Sequence, residues 1–441
     1  MQPADTSRPA PTPTRRGLCV ETFAGWGGFS LGVEKAGFDV QVAIDIEPVN
    51  TGTHHYNFSY GRSITGDLFE DHTSAIQRAL PGGEDIDMMV MGRTPEAILG
   101  TEEAELPRID LVTGGPPCQG LSSIGKRDPN DPRNRLMNQF IQQGTRLGAR
   151  YLCMEQVGAL LQKQNAHYLD AIRETLHRAG YSMVNPQILR AVDFGVPQRR
   201  ERAFLLIYRN DQVAPAYPKP THGPSSDLFL RPTPTVADAF DGLADADEFE
   251  ELWDQDWVEA GYNSPTSWYG RMMTGLENDP DDLSYKRPFR RDLLTCSQRV
   301  RHSDESIARF LATPAGRNER TSRRHRLDPN GLSLTLRAGS NALHGSFTAV
   351  MPIHPKGTRQ ITVREACRLH SVPDSIRLSS TKIWAYRQLG NSICPLVSAA
   401  ICREIAKAAG IAPAAPVDVV QYGDESLLHI ANAISSNRLA A

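Results

Sequence analysis

Residues 114–122 constrain the fold more than any other stretch of this chain, because they read Gly-Gly-Pro-Pro-Cys-Gln-Gly-Leu-Ser. The apolar residues 109–113 before them predict a short buried strand of a parallel sheet. Two glycines and two prolines then end that strand in an irregular turn. Cys118 is thereby placed on a loop at the carboxyl edge of the sheet, where open α/β sheets hold their ligands. A cysteine that only fills a core would lie within the strand, so we interpret Cys118 as a reactive nucleophile.

A glycine-rich turn near the start of the chain indicates a nucleotide-like ligand. An apolar strand at 18–23 runs into Ala-Gly-Trp-Gly-Gly and then into a helix over 29–36, which Gly37 ends. This order of strand, turn and helix lets the backbone approach a ligand closely. NAD and FAD sites use similar turns, and tight packing alone also requires them, so the turn does not identify the ligand.

A second predicted strand, 40–44, delivers two acids, Asp45 and Glu47, just before Pro48. An acid at the tip of this strand is placed to accept hydrogen bonds from both hydroxyls of a ribose. The alternative is a helix cap, because Pro48 favours a helix start and Glu47 suits the capping position.

Length and composition exclude several classes of protein. A chain of 441 residues suits two or three domains, and it contains neither a bilayer-spanning apolar stretch nor a secretory signal. Seven cysteines without metal-type spacing argue against a disulfide framework and a structural metal. We therefore expect a soluble cytoplasmic protein with no metal and no membrane partner.

Charge is unevenly distributed in a chain whose net charge is only −3. Residues 238–259 are crowded with acids, whereas residues 286–337 are basic. A basic run is usually a solvated surface, but a local basic tract in a near-neutral protein is also what phosphate contact requires. The region 211–355 holds both runs, is rich in proline and glycine, and predicts a separate, mostly irregular and β-containing domain.

The motifs in their order resemble those of the cytosine-C5 DNA methyltransferases, of the bacterial restriction–modification or orphan type. The order is a glycine-rich turn, an acid, Gly-Asp, Pro-Cys, Glu-x-Val, Gln-x-Arg-x-Arg, a variable region and Gly-Asn-Ser. In this chain the later motifs stand at 66–67, 117–118, 155–157, 198–202 and 390–392. The resemblance covers residues 17–210 and 357–405.

The resemblance implies an α/β fold with a Rossmann-like, S-adenosylmethionine-dependent methyltransferase domain. Such a domain has a mixed, mostly parallel sheet with helices on both faces, and a smaller, irregular, β-containing target-recognition domain accompanies it. The implied organisation is a disordered tail at 1–16, a catalytic cofactor-binding domain at 17–210, a target-recognition domain at 211–356, a return into the catalytic domain at 357–410 and a tail at 411–441. Residues 85–106 form an insertion without a functional interpretation.

The resemblance also implies a reaction, the transfer of a methyl group from S-adenosylmethionine to C5 of a cytosine flipped out of double-stranded DNA. Cys118 would form a covalent bond to C6, and Glu155 would neutralise the negative charge that accumulates at N3 of the ring. The implied catalytic residues are Cys118, Glu155, Arg200 and Arg202. The implied cofactor-binding residues are Phe23, Gly25, Gly27, Gly28, Asp45, Ile46, Asp67, Pro117, Asn391 and Ser392. The implied substrate-binding residues are Gln119, Ser122, Arg133 and Gln198.

The expected partners are double-stranded DNA and a cognate restriction endonuclease that acts separately, with the enzyme bound to DNA as a monomer. One residue departs from the family pattern, because Gln156 stands where Asn is usual. A catalytic group misplaced by about 1 Å can cost on the order of a hundredfold in rate, so a DNA-binding homologue with weakened turnover is one alternative. A tRNA cytosine methyltransferase on the same fold is another, although that branch typically carries Phe-Thr where this chain has Gly120-Leu121-Ser122.

Overall fold

The computed structural model describes residues 15–80, 108–117, 135–261, 263–277, 279–338 and 351–434. The predicted insertion at 85–106 lies outside these residues, as does most of the predicted tail at 1–16. Arg16, at the end of that tail, is part of the folded structure, because its guanidinium donates to Asp39 at 2.6 Å and to the carbonyl of Phe38 at 3.0 Å. None of the helices in the described ranges has the length and apolar composition that a membrane span requires.

Eight strands form one mixed sheet at the centre of the fold. The first nine strands in chain order, of which all except β8 belong to this sheet, are β1 (Gly17–Thr22), β2 (Phe38–Asp45), β3 (Arg62–Thr65), β4 (Leu111–Gly114), β5 (Tyr151–Gln156), β6 (Tyr181–Met183), β7 (Gln187–Arg190), β8 (Gln198–Arg199) and β9 (Glu201–Arg209). The order is β3-β2-β1-β4-β5-β9-β6, and β7 also pairs with β9. Strands β1 to β5 are parallel to one another, whereas β9 is antiparallel to its three neighbours.

Five further strands are only two residues long. They are β10 (His222–Gly223), β11 (Arg231–Pro232), β12 (Val258–Glu259), β13 (Leu293–Leu294) and β14 (Ser333–Leu334). They form the pairs β10–β11 and β12–β13, and β14 pairs with β8. The last of these pairs joins the variable region directly to the Gln-x-Arg-x-Arg stretch.

The helices in chain order are α1 (Gly28–Lys35), α2 (Pro48–Asn57), α3 (Thr73–Ala79), α4 (Arg135–Arg146), α5 (Ala166–Arg178), α6 (Val236–Phe240), α7 (Trp268–Met273), α8 (Asp304–Ala312), α9 (Val363–Leu369), α10 (Lys382–Asn391) and α11 (Pro395–Ala409). Both faces of the sheet are covered by helices, because the strands are apolar on both sides. Helices α1 and α11 cover the face that includes Cys19, and α3, α4 and α5 cover the face that includes Val20. The predicted Rossmann-like fold with a mixed, mostly parallel sheet is confirmed.

Glycine at position 32 allows α1 and α11 to touch. A Cβ at Gly32 would lie 1.9 Å from the Ser398 hydroxyl and 2.6 Å from the backbone nitrogen of Ala399. Helix α11, near the end of the described chain, therefore packs directly against α1.

The region 211–356 contains more helix than the sequence predicted, and it shares a core with the rest of the chain. Helices α6, α7 and α8 are five, six and nine residues long, too short for a helical period to stand out in the sequence. The largest apolar cluster here joins Val236, Tyr269 and Leu336 to Trp26 of the glycine-rich turn. Because Trp26 is fully buried, this turn is fixed by residues of both regions.

The acidic and basic runs pair with each other. Asp247 contacts Arg299 at 3.1 Å, and Glu259 contacts Arg290 at 3.0 Å. Asp247 also contacts Arg359, beyond the basic run, at 2.9 Å. Part of the basic run is therefore neutralised within the protein instead of being available to an external phosphate.

Residues 411–434 belong to the predicted tail at 411–441, and part of this segment packs against α2. The rings of Tyr422 and Tyr56 stack with their centroids 5.1 Å apart. A Cβ at Gly52 would lie 2.4 Å from the Ile430 side chain, so the absence of a side chain on α2 admits this segment.

A chain of buried polar side chains crosses from β1 to β3 beneath the glycine-rich turn. Ser30 donates to the Glu21 carboxyl, His54 Nε2 lies 2.8 Å from the Ser30 hydroxyl, and His54 Nδ1 lies 2.8 Å from the Ser63 hydroxyl. Burial raises the pKa of the Glu21 carboxyl to about 8 and lowers the pKa of His54 to about 3. The Glu21 carboxyl is therefore mostly protonated and the His54 imidazole is uncharged at pH 7, so this network of buried side chains is largely neutral.

We expect the free energy of unfolding to decrease less with rising pH in Glu21→Gln than in the native protein. The folded-state pKa of Glu21 lies above the ordinary value of 4.5, so its contribution is fully present below pH 4.5 and is lost as pH rises to about 8. The free energy of unfolding of the native chain should fall relative to that of the variant by about 1.4 kcal/mol per pH unit across this window. Urea unfolding at several pH values measures it, with the exposed Glu174→Gln as the control. A difference that stays constant with pH would contradict the prediction.

Candidate active site

The site lies where four parallel strands end at one edge of the sheet. β1 and β2 end at Thr22 and Asp45, β4 ends at Gly114, and β5 ends at Gln156. Because parallel strands present their carboxyl ends on one side, the turns that follow them form a common rim.

The glycine-rich turn after β1 is shaped by left-handed backbone. Gly25 and Gly27 have φ of 57° and 103°, and Phe23 adopts φ of 56° despite its side chain. A Cβ at Gly25 would meet no heavy atom within 4 Å, so the backbone there faces open space. A Cβ at Gly28 would instead lie 2.9 Å from the carbonyl oxygen of Ile393, which brings the segment after α10 against this turn.

Asp45 fixes the glycine-rich turn to the second strand. Its Oδ2 accepts from the backbone of Gly25 at 2.9 Å, and its Oδ1 accepts from the backbone of Glu47 at 2.9 Å and from Asn50 at 3.0 Å. Burial raises the pKa of the Asp45 carboxyl, and these hydrogen bonds oppose the rise. A carboxylate accepts about four hydrogen bonds, so Asp45 retains capacity for one more donor. Glu47 occupies the N-cap position of α2 without a side-chain capping bond.

The rim beside Asp45 offers an apolar surface and a second carboxylate. The Ile46 side chain is 57% exposed, which is unusual for an isoleucine within a folded domain. Asp67 is exposed, and its Oδ1 accepts from the backbone of Phe69 at 3.0 Å. A turn with an open backbone, a buried carboxylate, an exposed aliphatic side chain and an exposed carboxylate together fit a nucleoside with a ribose and an aromatic base.

Glu155 and Arg202 form an ion pair across β5 and β9. Arg202 Nε lies 2.7 Å from Glu155 Oε1, and both side chains are largely buried. The other oxygen, Oε2, would lie 3.1 Å from a Cβ at Gly115. One carboxylate oxygen is thus held by Arg202, and the other faces the loop that leads to position 118.

Gln156 braces that loop. Its Nε2 donates to the carbonyl oxygen of Pro116 at 2.7 Å, and the side chain is 2% exposed. The residue that departs from the family pattern therefore makes a buried hydrogen bond to the loop that precedes position 118.

The Gln-x-Arg-x-Arg spacing follows from the period of two in an extended chain. Gln198 and Arg200 are buried and Arg202 is largely so, whereas Arg199 and Glu201 are exposed. The three spaced side chains therefore point to one side, toward the interior.

Gln198 and Arg200 hold both the variable region and the turn after α10. Gln198 Oε1 accepts from the backbone of Leu336 at 3.1 Å, and Arg200 donates to the Leu336 carbonyl at 3.2 Å. Arg200 Nη2 also donates to the carbonyl oxygens of Gly390 at 3.1 Å and Ser392 at 2.6 Å. Burial, and to a lesser extent the charge of Arg202, lowers the pKa of Arg200 to about 10, so its guanidinium stays charged at pH 7.

His370 completes this arrangement, and sequence reasoning missed it. Gln198 Nε2 lies 3.1 Å from His370 Nδ1, and His370 Nε2 lies 3.0 Å from the Ser392 hydroxyl. An amide nitrogen only donates, so Nδ1 accepts and the proton is on Nε2. Burial and the charge of Arg200 lower the pKa of His370 far below its usual range. His370 has no motif of its own in the sequence, so only the fold reveals its role.

The predicted site residues divide into three groups. Phe23, Gly25, Gly27, Gly28, Asp45, Ile46, Asp67, Pro117, Glu155, Arg202, Asn391 and Ser392 lie at or beside the carboxyl edge of the sheet. Gln198 and Arg200 lie behind it, in contact with protein main chain. The predicted nucleophile and three predicted substrate-binding residues lie outside the described residues; they are Cys118, Gln119, Ser122 and Arg133.

Comparisons with known proteins agree on one family. A family model described as "C-5 cytosine-specific DNA methylase" matches residues 18–93 and 97–407. The type II methyltransferase M.XorII of Xanthomonas oryzae pv. oryzae is 37% identical over 416 residues, which cover 94% of this chain and 90% of that protein. The type II methyltransferase M1.HphI of Haemophilus parahaemolyticus is 28% identical over 391 residues, which cover 88% of this chain and 86% of that protein.

A solved structure supports the fold. The crystal structure of a putative DNA modification methyltransferase encoded within a prophage of E. coli superimposes with a TM-score of 0.65 at 24% identity, covering 89% of this chain and 99% of that one.

We expect Gly390→Ala to destabilise the protein more than Gly148→Ala does. A Cβ at Gly390 would lie 2.1 Å from the backbone nitrogen of Ala338, so the two main chains must separate. Gly148 has φ of 63° and open space around a Cβ. The Gly148→Ala substitution therefore costs only the strain of a left-handed backbone at alanine, about 1–2 kcal/mol. Thermal unfolding of both variants measures the difference. Equal losses would show that the close approach of 338 and 390 is not required.

Proposed function

The chain belongs to the family of C-5 cytosine-specific DNA methylases, and on that premise we propose that it methylates C5 of a flipped-out cytosine in duplex DNA through Cys118. The observation that carries the proposal is the Glu155–Arg202 pair, which lies beside the Pro116–Pro117 loop at the carboxyl edge of the sheet. This arrangement puts a held carboxylate next to the nucleophile position.

The glycine-rich turn and its neighbours fit S-adenosylmethionine. When bound, this cofactor supplies an electrophilic methyl group attached to a positively charged sulfur. Asp45 would accept a hydrogen bond from a ribose hydroxyl with its remaining capacity, Ile46 would cover a face of the adenine, and Asp67 would accept from the adenine amino group. Phe23, Gly25, Gly27, Gly28 and Pro117 would line this pocket, and Asn391 and Ser392 would close it from the turn after α10.

Cys118 is the proposed nucleophile. The other six cysteines of the chain are all buried, and burial raises the pKa of the thiols of Cys19, Cys153, Cys367, Cys394 and Cys402. A reactive cysteine needs the opposite shift, because only the thiolate attacks. Positions after a Gly-Gly-Pro-Pro turn at the sheet edge suit that role better than positions inside strands and helices.

The proposed reaction proceeds in balanced steps. The Cys118 thiolate gives an electron pair to C6, and the displaced π electrons spread toward C5, N3 and O2. After C5 has taken the methyl group, the C5 proton leaves to solvent. The electrons of the C5–H bond restore the C5–C6 double bond, and the bond between C6 and sulfur breaks to return the thiolate.

Glu155 and Arg202 are proposed to act on the opposite edge of the ring. Glu155 shares a proton with N3 and so neutralises the charge that attack at C6 pushes into the ring. Arg202 fixes one oxygen of Glu155 and orients the other toward the base. Arg200 and Gln198 act through the main chain that they hold, as positioning residues.

Base flipping is part of the proposal, because a cytosine within a stacked duplex exposes neither C6 nor the N3 edge to these groups. Rotation of the base costs a few kcal/mol, which contacts in the pocket offset. We propose Gln119, Ser122 and Arg133 as DNA contacts, a monomer as the DNA-bound form, and a separately acting restriction endonuclease as the biological partner.

The function is tested by incubating the protein with labelled S-adenosylmethionine and duplex DNA, with tRNA as the competing substrate. We expect label on cytosine C5 in the duplex, and bisulfite sequencing of DNA from expressing cells then gives the site. A duplex with 5-fluorocytosine in that site should trap the protein covalently, because a C5–F bond cannot release a proton. Cys118→Ser should abolish both methylation and trapping, whereas Cys402→Ala should retain both. Methylation of tRNA alone, or undiminished methylation by Cys118→Ser, would overturn the proposal.

We expect Gln156→Asn to lower kcat, although Asn is the usual residue of the family at this position. The shorter amide does not reach the Pro116 carbonyl, 2.7 Å from Nε2 of Gln156, unless the loop shifts. A shift near 1 Å costs up to about a hundredfold in rate, while KM for the cofactor should change little. Gln143→Asn, at a buried glutamine on α4, serves as the matched control. An unchanged kcat in Gln156→Asn would show that this hydrogen bond does not position the loop.

A further inference from the structure

The arginines of the basic run fall into two sets that the sequence does not distinguish. Most are paired within the protein, as Arg287 is with Glu34 at 2.9 Å and Arg309 is with Glu305 at 2.6 Å. Arg317, Arg320 and Arg323 are exposed, and no side-chain partner for them occurs among the described residues. Three exposed arginines without a side-chain partner therefore lie within seven residues, and Lys286 and Arg337 are further exposed cations of the basic run without one among the described residues.

These three arginines lie on one antiparallel hairpin, residues 316–326, here called the arginine hairpin. Its two strands are joined by backbone hydrogen bonds from Gly316 to Arg326 at 2.9 Å, from Arg326 to Arg317 at 2.8 Å and from Glu319 to Arg324 at 2.8 Å. Arg320 and Arg323 therefore stand at the end of the hairpin, and Arg317 stands nearer its base.

The arginine hairpin is held rigidly at both ends. At the tip, the buried Glu319 carboxylate accepts from the backbone of Thr321 at 2.9 Å and from the backbone of Ser322. At the base, the Arg326 guanidinium donates to the carbonyl oxygens of Thr313 and Pro355, each at 2.8 Å. A rigid support lowers the entropy lost when the exposed side chains bind a ligand.

The arginine hairpin is also linked to strand β8. Strand β14, seven residues after the hairpin, pairs with β8, so that Leu334 lies opposite Arg199. His325 of the hairpin lies close enough to Arg199 for that charge to lower its pKa, after burial as the main cause. Arg199 is exposed and lies next to Arg200, three residues before the Arg202 that contacts Glu155. The arginine hairpin is therefore connected through β14 and β8 to the segment that carries Arg202.

We propose that the arginine hairpin binds the DNA backbone, with Arg317, Arg320 and Arg323 in contact with phosphates next to the target base. The inference rests on the proposed function, since it names the surface on which that substrate lies. Exposed guanidinium groups without carboxylate partners are suited to phosphate oxygens, to which they donate two hydrogen bonds at once. Each phosphate contact releases counterions, so binding through this hairpin depends on salt concentration.

The test compares the full-length protein with the triple variant Arg317→Gln/Arg320→Gln/Arg323→Gln. Dissociation constants for a duplex are measured over a series of salt concentrations, with and without the methylation site. Three lost phosphate contacts should make the slope of log K against log salt shallower by about 3, and weaken both duplexes alike. The triple variant Arg146→Gln/Arg173→Gln/Arg178→Gln removes three exposed arginines from α4 and α5 and should keep the native slope. Equal thermal unfolding and an equal KM for S-adenosylmethionine show that the hairpin variant is folded.

The outcomes separate the hairpin from the function. A variant that methylates duplex DNA with the native salt slope overturns the hairpin proposal and leaves the proposed function intact. Loss of discrimination between the two duplexes at an unchanged slope also overturns it, because the contact would then be to bases. Restoration of the slope by Lys at the same three positions supports it, since a point charge suffices for phosphate. A native protein that methylates no duplex overturns the proposed function instead.

Discussion

The buried guanidinium of Arg200 is the interaction on which the candidate site depends. It donates to three main-chain carbonyl oxygens, those of Leu336, Gly390 and Ser392. Two of these lie at the carboxyl end of α10, where a helix leaves carbonyls unpaired and carries partial negative charge. The charge of Arg200 is thus compensated by backbone dipoles, and the same bonds hold the turn that lies against the glycine-rich loop. Removing the side chain would leave buried carbonyl oxygens without donors, which costs about 1–3 kcal/mol for each group.

The spacing of two residues explains how one extended segment, from β8 into the start of β9, reaches three different parts of the candidate site. Gln198, Arg200 and Arg202 point to the same side because the chain is extended, and each reaches a different target. Gln198 and Arg200 reach the variable region and the turn after α10, whereas Arg202 reaches Glu155. Arg200 and Arg202 are two residues apart in the extended backbone. They therefore fix the Glu155 carboxylate, proposed to act on the base, relative to the turn at 390–392, proposed to close the cofactor pocket. Arg199 and Glu201, on the other side, remain exposed.

The sequence was sufficient for features that depend on neighbours along the chain. Strands β1, β2 and β4 and helix α1 all appear within a few residues of their predicted positions. Features that depend on residues distant in the sequence could not be predicted from the sequence. The acids at 238–259 pair with arginines of the basic run, which the sequence alone left open between a solvated surface and phosphate contact. The tautomer of His370 is determined by its hydrogen bond to Gln198, which lies 172 positions away in the sequence. Helices α6 and α7 were not predicted from the sequence, because five or six residues are too few to show a helical period.

The contact between Gly390 and residues 337–338 has a consequence for how the two regions move. A Cβ at position 390 would lie 2.1 Å from the backbone of Ala338 and 2.3 Å from that of Arg337, so main chain meets main chain without an intervening side chain. Side chains absorb small displacements by changing rotamer, whereas two backbones in contact do not. Leu336, just before this contact, is also held by Gln198 and Arg200. Any displacement of the variable region at this point must therefore move the turn at 390–392 or break the hydrogen bonds of Arg200, and the two regions respond as one body at the site.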